Sequence, residues 1–382
     1  MFSEKAALRI PGPTPVPPEV TRAMTHSMIG HRSADFSNLL KNVEDKLRPL
    51  FGTSGAVAVI AGTGTGGLEA AIANLVLPGD GVLSVTTGNF GDRFADIAKR
   101  AGAVLHTLSY DWGTPANPDD IDRFLTENDH VKVVLVTHCE TSTGVLNDVK
   151  TIAQIVRKHN AYIIVDAVSS LVGAKLPMDE WNIDLVATGS QKALALPPGL
   201  ALVGISERAL QRIKERPGRS LYFDLARYAK DLSNNTTPWT PPVSLVYGLL
   251  ESLTMIEEEG LENVQARHLL LRDMTRAAIR ALNLPLLVTE DQYASPTVTT
   301  VSTPDFDADA FRKILKNELH ISVAGGQKQL SGKIFRIGHM GYVDAADMLQ
   351  CISAIEVALY KIGHKIELGV GIKAAEEVLV RA

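Results

Sequence analysis

Cysteine is nearly absent from this chain: 382 residues carry two, Cys139 and Cys351. Two thiols make no disulfide framework and cannot alone ligate a metal or iron–sulfur centre, so both read as buried thiols in a reducing compartment. There is no excess of positive charge either. Lys and Arg number 38 against 43 Asp and Glu, a net charge of −5, and the signs are interspersed; this excludes the basic field that nucleic acid requires. No apolar run approaches the roughly 18 residues of a membrane span, and Glu4 and Lys5 stand where a secretory signal needs an apolar stretch. The expected location is cytoplasmic. The histidines, among them His138, His159, His320 and His339, fall in separate elements without HExxH or paired spacing, so no metal is expected. Internal repeats and low-complexity segments are missing as well. What is present is 45% hydrophobic content, enough for a sizeable core and for two domains.

Five prolines between Pro11 and Pro18 predict an extended arm over residues 1–20. After Ser33, Phe36, Leu39, Leu40, Val43, Leu47 and Leu50 recur at helical spacing until Gly52. Short apolar runs then alternate with helical patterns: Val57–Ile60, Val82–Thr86, Val104–Leu108, Val131–Thr137, Tyr162–Val165, Leu185–Thr188 and Ala201–Ile205 read as strands. Strands and helices alternating at this interval predict an α/β fold with a mainly parallel seven-stranded sheet covered by helices on both faces. Only the Pro197–Pro198–Gly199 turn separates the last two strands, so the last is expected to be antiparallel. Residues 21–259 form the expected large domain. Gly260 divides two long helical patterns, and 260–382 reads as a smaller C-terminal α+β domain.

In such sheets ligands collect outside the carboxyl ends of the strands. There the run Gly62–Thr63–Gly64–Thr65–Gly66–Gly67 follows a strand and opens a helix, so its N–H groups and the helix N-terminus can cradle an anion. The next strand ends in Thr87, Gly88 and Asn89 rather than in the acidic residue that would hold a dinucleotide ribose. A single phosphate fits better than NAD. Asp166 ends an apolar strand, where a carboxylate needs a cation or donor opposite it. A protonated pyridine nitrogen would serve, as would an arginine in a purely structural role. Lys192 in GSQKALALPPG lies between two apolar strands, where desolvation lowers the pKa of a lysine and frees its amine for covalent chemistry. An acid and a lysine at one rim of a sheet, with a phosphate cradle beside them, suit a lysine-bound cofactor of the pyridoxal phosphate kind. Phe90 and Val168 could flank a planar ring. Ser142 could donate to a ring oxygen. Arg336, in the apolar KIFRIGHMG, could hold a carboxylate through two parallel bonds or pair with a structural acid.

The stretches PGPTPVPPEV, GHRSADF, AGTGTGGLEAA, TSTGVLNDV, IIVDAVSSLVG, ATGSQKALALPPGLALV, TTPWTPPVSL and GKIFRIGHMG cover nearly the whole chain. Together they resemble the class V aminotransferases of fold type I, in the group of alanine–glyoxylate and serine–pyruvate aminotransferases. The resemblance implies pyridoxal 5'-phosphate as cofactor, held covalently by Lys192, with Asp166 on the pyridine nitrogen, Phe90 stacking and Val168 on the opposite face. It places Ser142 near the phenolic oxygen, Thr63, Gly64, Thr65 and Gln191 around the phosphate, and Arg336 on the substrate carboxylate, with Gly12 lining the substrate pocket. Thr240, with Thr237 nearby, would reach the phosphate of a neighbouring subunit, which implies a homodimer. Phe90 stands where a Trp is often found, and Thr237 where some relatives have Tyr.

The implied reaction is ping-pong transamination of alanine or serine with glyoxylate or pyruvate. Aspartate or 2-aminoethylphosphonate as donor, or a cofactor-binding protein with a relict site, are the alternatives. A cysteine desulfurase needs a nucleophilic cysteine in the second domain, and VAGGQKQLSGK has none. The hydrogenase-subunit label that some members of the group carry needs metal sites that two cysteines cannot build.

Overall fold

The computed structural model describes residues 6–218 and 220–382. Seven strands form the central sheet: Ala56–Gly62, Gly81–Thr86, Val104–Ser109, Val131–Thr137, Tyr162–Asp166, Leu185–Gly189 and Gly199–Ile205. Across the sheet they begin, in order, at Ala56, Gly199, Leu185, Tyr162, Val131, Gly81 and Val104. Gly199–Ile205 runs antiparallel to both of its neighbours and the remaining pairs are parallel, as the short proline turn before it predicts.

Alternation along each strand feeds two apolar layers. Val57 and Val59 pack into one with Phe36, Ile152 and Leu249, while Ala58 and Ile60 pack into the other with Leu68, Phe94 and Leu225. Helix Ala34–Phe51 shows how the sequence sets these elements. Ser33 accepts the Phe36 N–H as its cap, and Gly52 ends it in the left-handed region at φ 57°. Its inward residues Phe36, Leu40, Val43 and Leu47 are fully buried, each contributing on the order of 1.5–3 kcal/mol of transfer free energy.

A third apolar cluster gathers Leu271, Ile279, Phe311, Phe335, Ile352 and Ala375. It is built on the three-stranded antiparallel sheet of Val298–Ser302, Ile334–Gly338 and Ala324–Gly325. The N-terminal segment ties this unit to the sheet rim. Ala7–Leu8 pairs with Ile321–Ser322, the Gly338 N–H donates to Arg9 O, and the Thr14 N–H donates to Gln191 O.

Three features go beyond the sequence reading. The helix after the first sheet strand begins at Gly64, so most of the glycine run is helical first turn rather than loop. The turn-rich stretch before Val243 holds helix Leu225–Leu232, capped by Asp224 through the Arg227 N–H; its short amphipathic pattern is masked by flanking turn formers. A last helix, Val370–Arg381, packs against Leu261–Ala281.

Candidate active site

At the carboxyl ends of the central strands the fold encloses a cavity of about 120 Å³. Thr63, Gly64, Thr65, Phe90, Asp166, Val168, Gln191 and Lys192, eight of the residues that the sequence singles out, line it together. A larger cleft of about 770 Å³ beside Tyr360 and His364 is bounded by none of them.

Asp166 is the last residue of strand Tyr162–Asp166, and its Oδ1 accepts the Val168 N–H at 2.9 Å. Burial pushes its carboxyl up to about 7; the Val168 N–H opposes the shift and the nearby Glu140 charge adds to it. Among the described residues none forms an ion pair with Asp166, and the Val168 N–H is its hydrogen-bond donor there. Lys192 follows strand Leu185–Gly189 and is 9% exposed. Burial pulls its ammonium down to about 8 against the attraction of Cys139 and Asp166, while Arg336 and Arg93 add to the fall. Its Nζ donates to Pro11 O. Gly12 is glycine for a steric reason: it sits at φ +105°, and a Cβ there would lie 2.6 Å from Lys192 Cδ.

Thr63 is the N-cap of helix Gly64–Leu75, yet its side chain makes no capping bond, which leaves the hydroxyl and the first N–H groups of the helix free. Gln191 Oε1 is buried without a partner among the described residues. Phe90 opens helix Asn89–Arg100 from the facing wall, with the Arg93 guanidinium 4.7 Å from its ring centroid.

Arg336 lies in strand Ile334–Gly338, 6% exposed, with Nε donating to Gly325 O at 2.9 Å and Nη1 to Thr141 O at 2.8 Å. Both partners are neutral carbonyls, and burial pulls the guanidinium down to about 10 while the Glu140 charge opposes this. Thr141 lines the cavity, so Arg336 is fixed to its wall.

Five residues named from sequence are not in the cavity lining: Gly12 and Arg336 stand behind it, against Lys192 and Thr141, while Ser142, Thr237 and Thr240 make their contacts elsewhere. The Ser142 hydroxyl donates to Glu140 Oε1 at 2.5 Å and accepts the Asn89 N–H at 3.0 Å. Its single donor is thus used, and Thr141 one residue earlier faces the cavity instead. Thr237 donates to Trp239 O at 2.8 Å, and Thr240 lies 3.4 Å from His31 Nε2, both away from the cavity. Sequence reasoning also missed Arg93 and Ser169, which line it. Arg93 stands three residues after Phe90 on the same helix face, a spacing that could have flagged it. Ser169, whose hydroxyl meets that of Thr141 at 2.6 Å, carries no comparable signal.

Residues 11–347 match the family described as Aminotransferase class-V. The chain belongs to this family. It is 42% identical to the soluble hydrogenase 42 kDa subunit of Anabaena cylindrica, over 99% of each chain. It is 36% identical to the serine–glyoxylate aminotransferase of Methylorubrum extorquens, over 97% of this chain and 95% of that one. Among solved structures it superposes with TM-score 0.89 on the alanine–glyoxylate aminotransferase of Nostoc sp., at 34% identity over 94% and 96% of the two chains.

Class-V aminotransferases depend on pyridoxal phosphate, and the residues present in this aminotransferase fit that group. A buried carboxylate without a cation, a lysine whose amine is eased toward neutrality, and a helix N-terminus with an unpaired Gln191 oxygen beside it match a ring nitrogen, an aldehyde and a phosphate.

Proposed function

We propose that this class-V aminotransferase moves the amino group of a small amino acid, alanine or serine, to glyoxylate or pyruvate in two half-reactions. The observation that carries the reading is that Asp166 and Lys192 line one cavity to whose wall Arg336 is fixed through Thr141. The serine–glyoxylate and alanine–glyoxylate enzymes among its relatives support the donors and the acceptor.

When bound, pyridoxal phosphate supplies an electron-withdrawing ring that accepts the charge left as an amino acid loses its α-proton. Asp166 would hold the proton on the ring nitrogen, Phe90 and Val168 would flank the ring, and Thr63, Gly64, Thr65 and Gln191 would hold the phosphate. Lys192 would bind the cofactor covalently at rest. Its amine would also be placed to take the α-proton of the amino acid, and burial supports this role by lowering the ammonium to about 8. Arg336 would grip the substrate carboxylate, for which its Nη2 is left without a protein partner among the described residues.

We further propose a homodimer with shared sites. Met28, Leu221 and Tyr222 are exposed apolar side chains. The loop bearing Thr237 and Thr240 joins Tyr222, which stacks on Trp239, and Arg32, which donates to Thr236 Oγ1 and Thr237 O. Thr240, which meets only His31 Nε2 among the described side chains of its own chain, would then reach the partner's phosphate. We place the domain boundary at Gly260 and the location in the cytoplasm, where the buried thiols of Cys139 and Cys351 stay reduced.

A half-reaction panel tests the reading by following the bound cofactor's absorbance with alanine, serine, aspartate, glutamate and 2-aminoethylphosphonate. Fastest conversion by alanine or serine is expected. Faster conversion by aspartate or 2-aminoethylphosphonate overturns the donor assignment, and no conversion by any favours a relict site. Borohydride reduction should fix the cofactor on the peptide bearing Lys192; a label elsewhere overturns its role.

A further inference from the structure

Glu140 belongs to none of the roles above, yet it is 0% exposed and no described cation forms an ion pair with it. Four donor groups surround its carboxylate. Oε1 accepts the Ser142 N–H at 3.0 Å and the Ser142 hydroxyl at 2.5 Å; Oε2 accepts the Phe90 N–H at 3.1 Å and the Gly91 N–H at 2.9 Å. Burial pushes its carboxyl up while these bonds oppose the shift. Three of the four donors are backbone N–H groups that cannot turn to accept, and Oε2 faces two of them, so the arrangement fits the ionised form.

The Phe90 and Gly91 N–H groups are first-turn donors of helix Asn89–Arg100, which has no side-chain cap of its own because its N-cap is Gly88. Glu140 supplies the cap from another strand, and the Ser142 hydroxyl accepts the remaining Asn89 N–H. Gly88 makes the approach possible: a Cβ there would lie 2.5 Å from Ser142 Oγ and 2.6 Å from Glu140 Cδ. The capped turn carries Phe90, a wall of the cavity, with Arg93 against its ring. On the other side Glu140 is the leading favourable charge on Arg336.

We propose that Glu140 is a positioning residue of the active site, whose buried carboxylate caps helix Asn89–Arg100 from outside and fixes Phe90 as the wall against which the cofactor ring is held. The inference rests on the cofactor reading above. Glu140→Gln keeps the shape but turns an amide N–H₂ toward donors, removing a charged acceptor from one end of the carboxylate.

The test titrates pyridoxal phosphate into cofactor-free wild type, Glu140→Gln, Phe90→Leu and the double variant, reading the Kd and the visible circular dichroism of the bound cofactor. Glu140→Gln is expected to raise the Kd roughly 10-fold or more and to weaken the dichroic band. In the Phe90→Leu background the same change should have little further effect, because it acts through Phe90. Additive losses, or a Kd and band unchanged while only the melting temperature falls, overturn the inference. Should Glu140→Gln not fold, Ser142→Ala removes one of its donors and the Asn89 acceptor, and must show the same Phe90-dependent loss at smaller size; its absence overturns the inference equally. If wild type itself does not bind pyridoxal phosphate, the cofactor reading fails instead.

Discussion

Lys192→Met in the cofactor-free protein isolates the cost of keeping an amine in this cavity. Met has similar length and no charge. Burial carries the Lys192 ammonium from 10.5 down to about 8, which corresponds to roughly 3 kcal/mol at about 1.4 kcal/mol per pH unit. Below pH 8 both the folded and the unfolded chain hold the proton, so wild type carries the whole penalty. Between about 8 and 10.5 the unfolded chain holds a proton that the folded chain has lost, so wild-type stability rises with pH across this window, and above 10.5 the penalty is gone. Removing the amine also leaves Pro11 O without its donor, a loss of about 1 kcal/mol. The Met variant should therefore be more stable than wild type by roughly 1–3 kcal/mol at pH 7, and the advantage should shrink as pH approaches 10.5. Thermal or urea denaturation of both cofactor-free proteins at pH 7, 8, 9 and 10 measures it. A difference that stays flat with pH, or a Met variant less stable at pH 7, would refute the burial argument.

Asp166→Asn tests the same logic with opposite sign. Its carboxyl rises from 3.8 to about 7, so the stability this group contributes is present below about pH 4 and lost by pH 7; the cofactor-free Asn variant should exceed wild type at pH 8 and lose that advantage on acidification, by differential scanning calorimetry. In the loaded enzyme the same change should lower kcat by roughly 100-fold or more if Asp166 has the proposed role of charged partner to the ring nitrogen. Arg336→Lys keeps the charge but loses the fork, and should raise KM for amino donors roughly 10- to 100-fold in steady-state assays, with kcat less affected. Gly12→Ala introduces a Cβ 2.6 Å from Lys192 Cδ at a φ of +105°; it should displace the lysine and lower the bound-cofactor absorbance at a given added concentration.

Much of the site was legible in the sequence because its residues break local patterns. An acid at the end of an apolar strand and a lysine in an apolar turn are costly unless something faces them, so Asp166 and Lys192 stood out singly. Threonines and serines carry no such cost. The choice between Thr141 and Ser142 depends on which hydroxyl the turn aims at the cavity, and Ser142 is turned away by the Glu140 carboxylate. Glu140 itself lies in the same HCETSTG stretch, but its burial follows from packing against the Gly88 turn, some fifty residues earlier in the chain. The helix Leu225–Leu232 was hidden because turn formers flank it on both sides.

By itself the sequence determined the alternation of strands and helices, the antiparallel strand that the short Pro197–Gly199 connection imposes, and the residue types that bear charge where charge is expensive. These are local matters of period, spacing and desolvation. Only the tertiary structure decided which of them meet. It brought Arg336 to Thr141, laid the proline-rich arm over Lys192 so that Pro11 O receives its amine, and left Thr237 and Thr240 outside the cavity of their own chain. The contacts of Lys192, Arg336 and Thr240 join residues 181, 195 and 209 positions apart, and no local pattern encodes a distance of that kind.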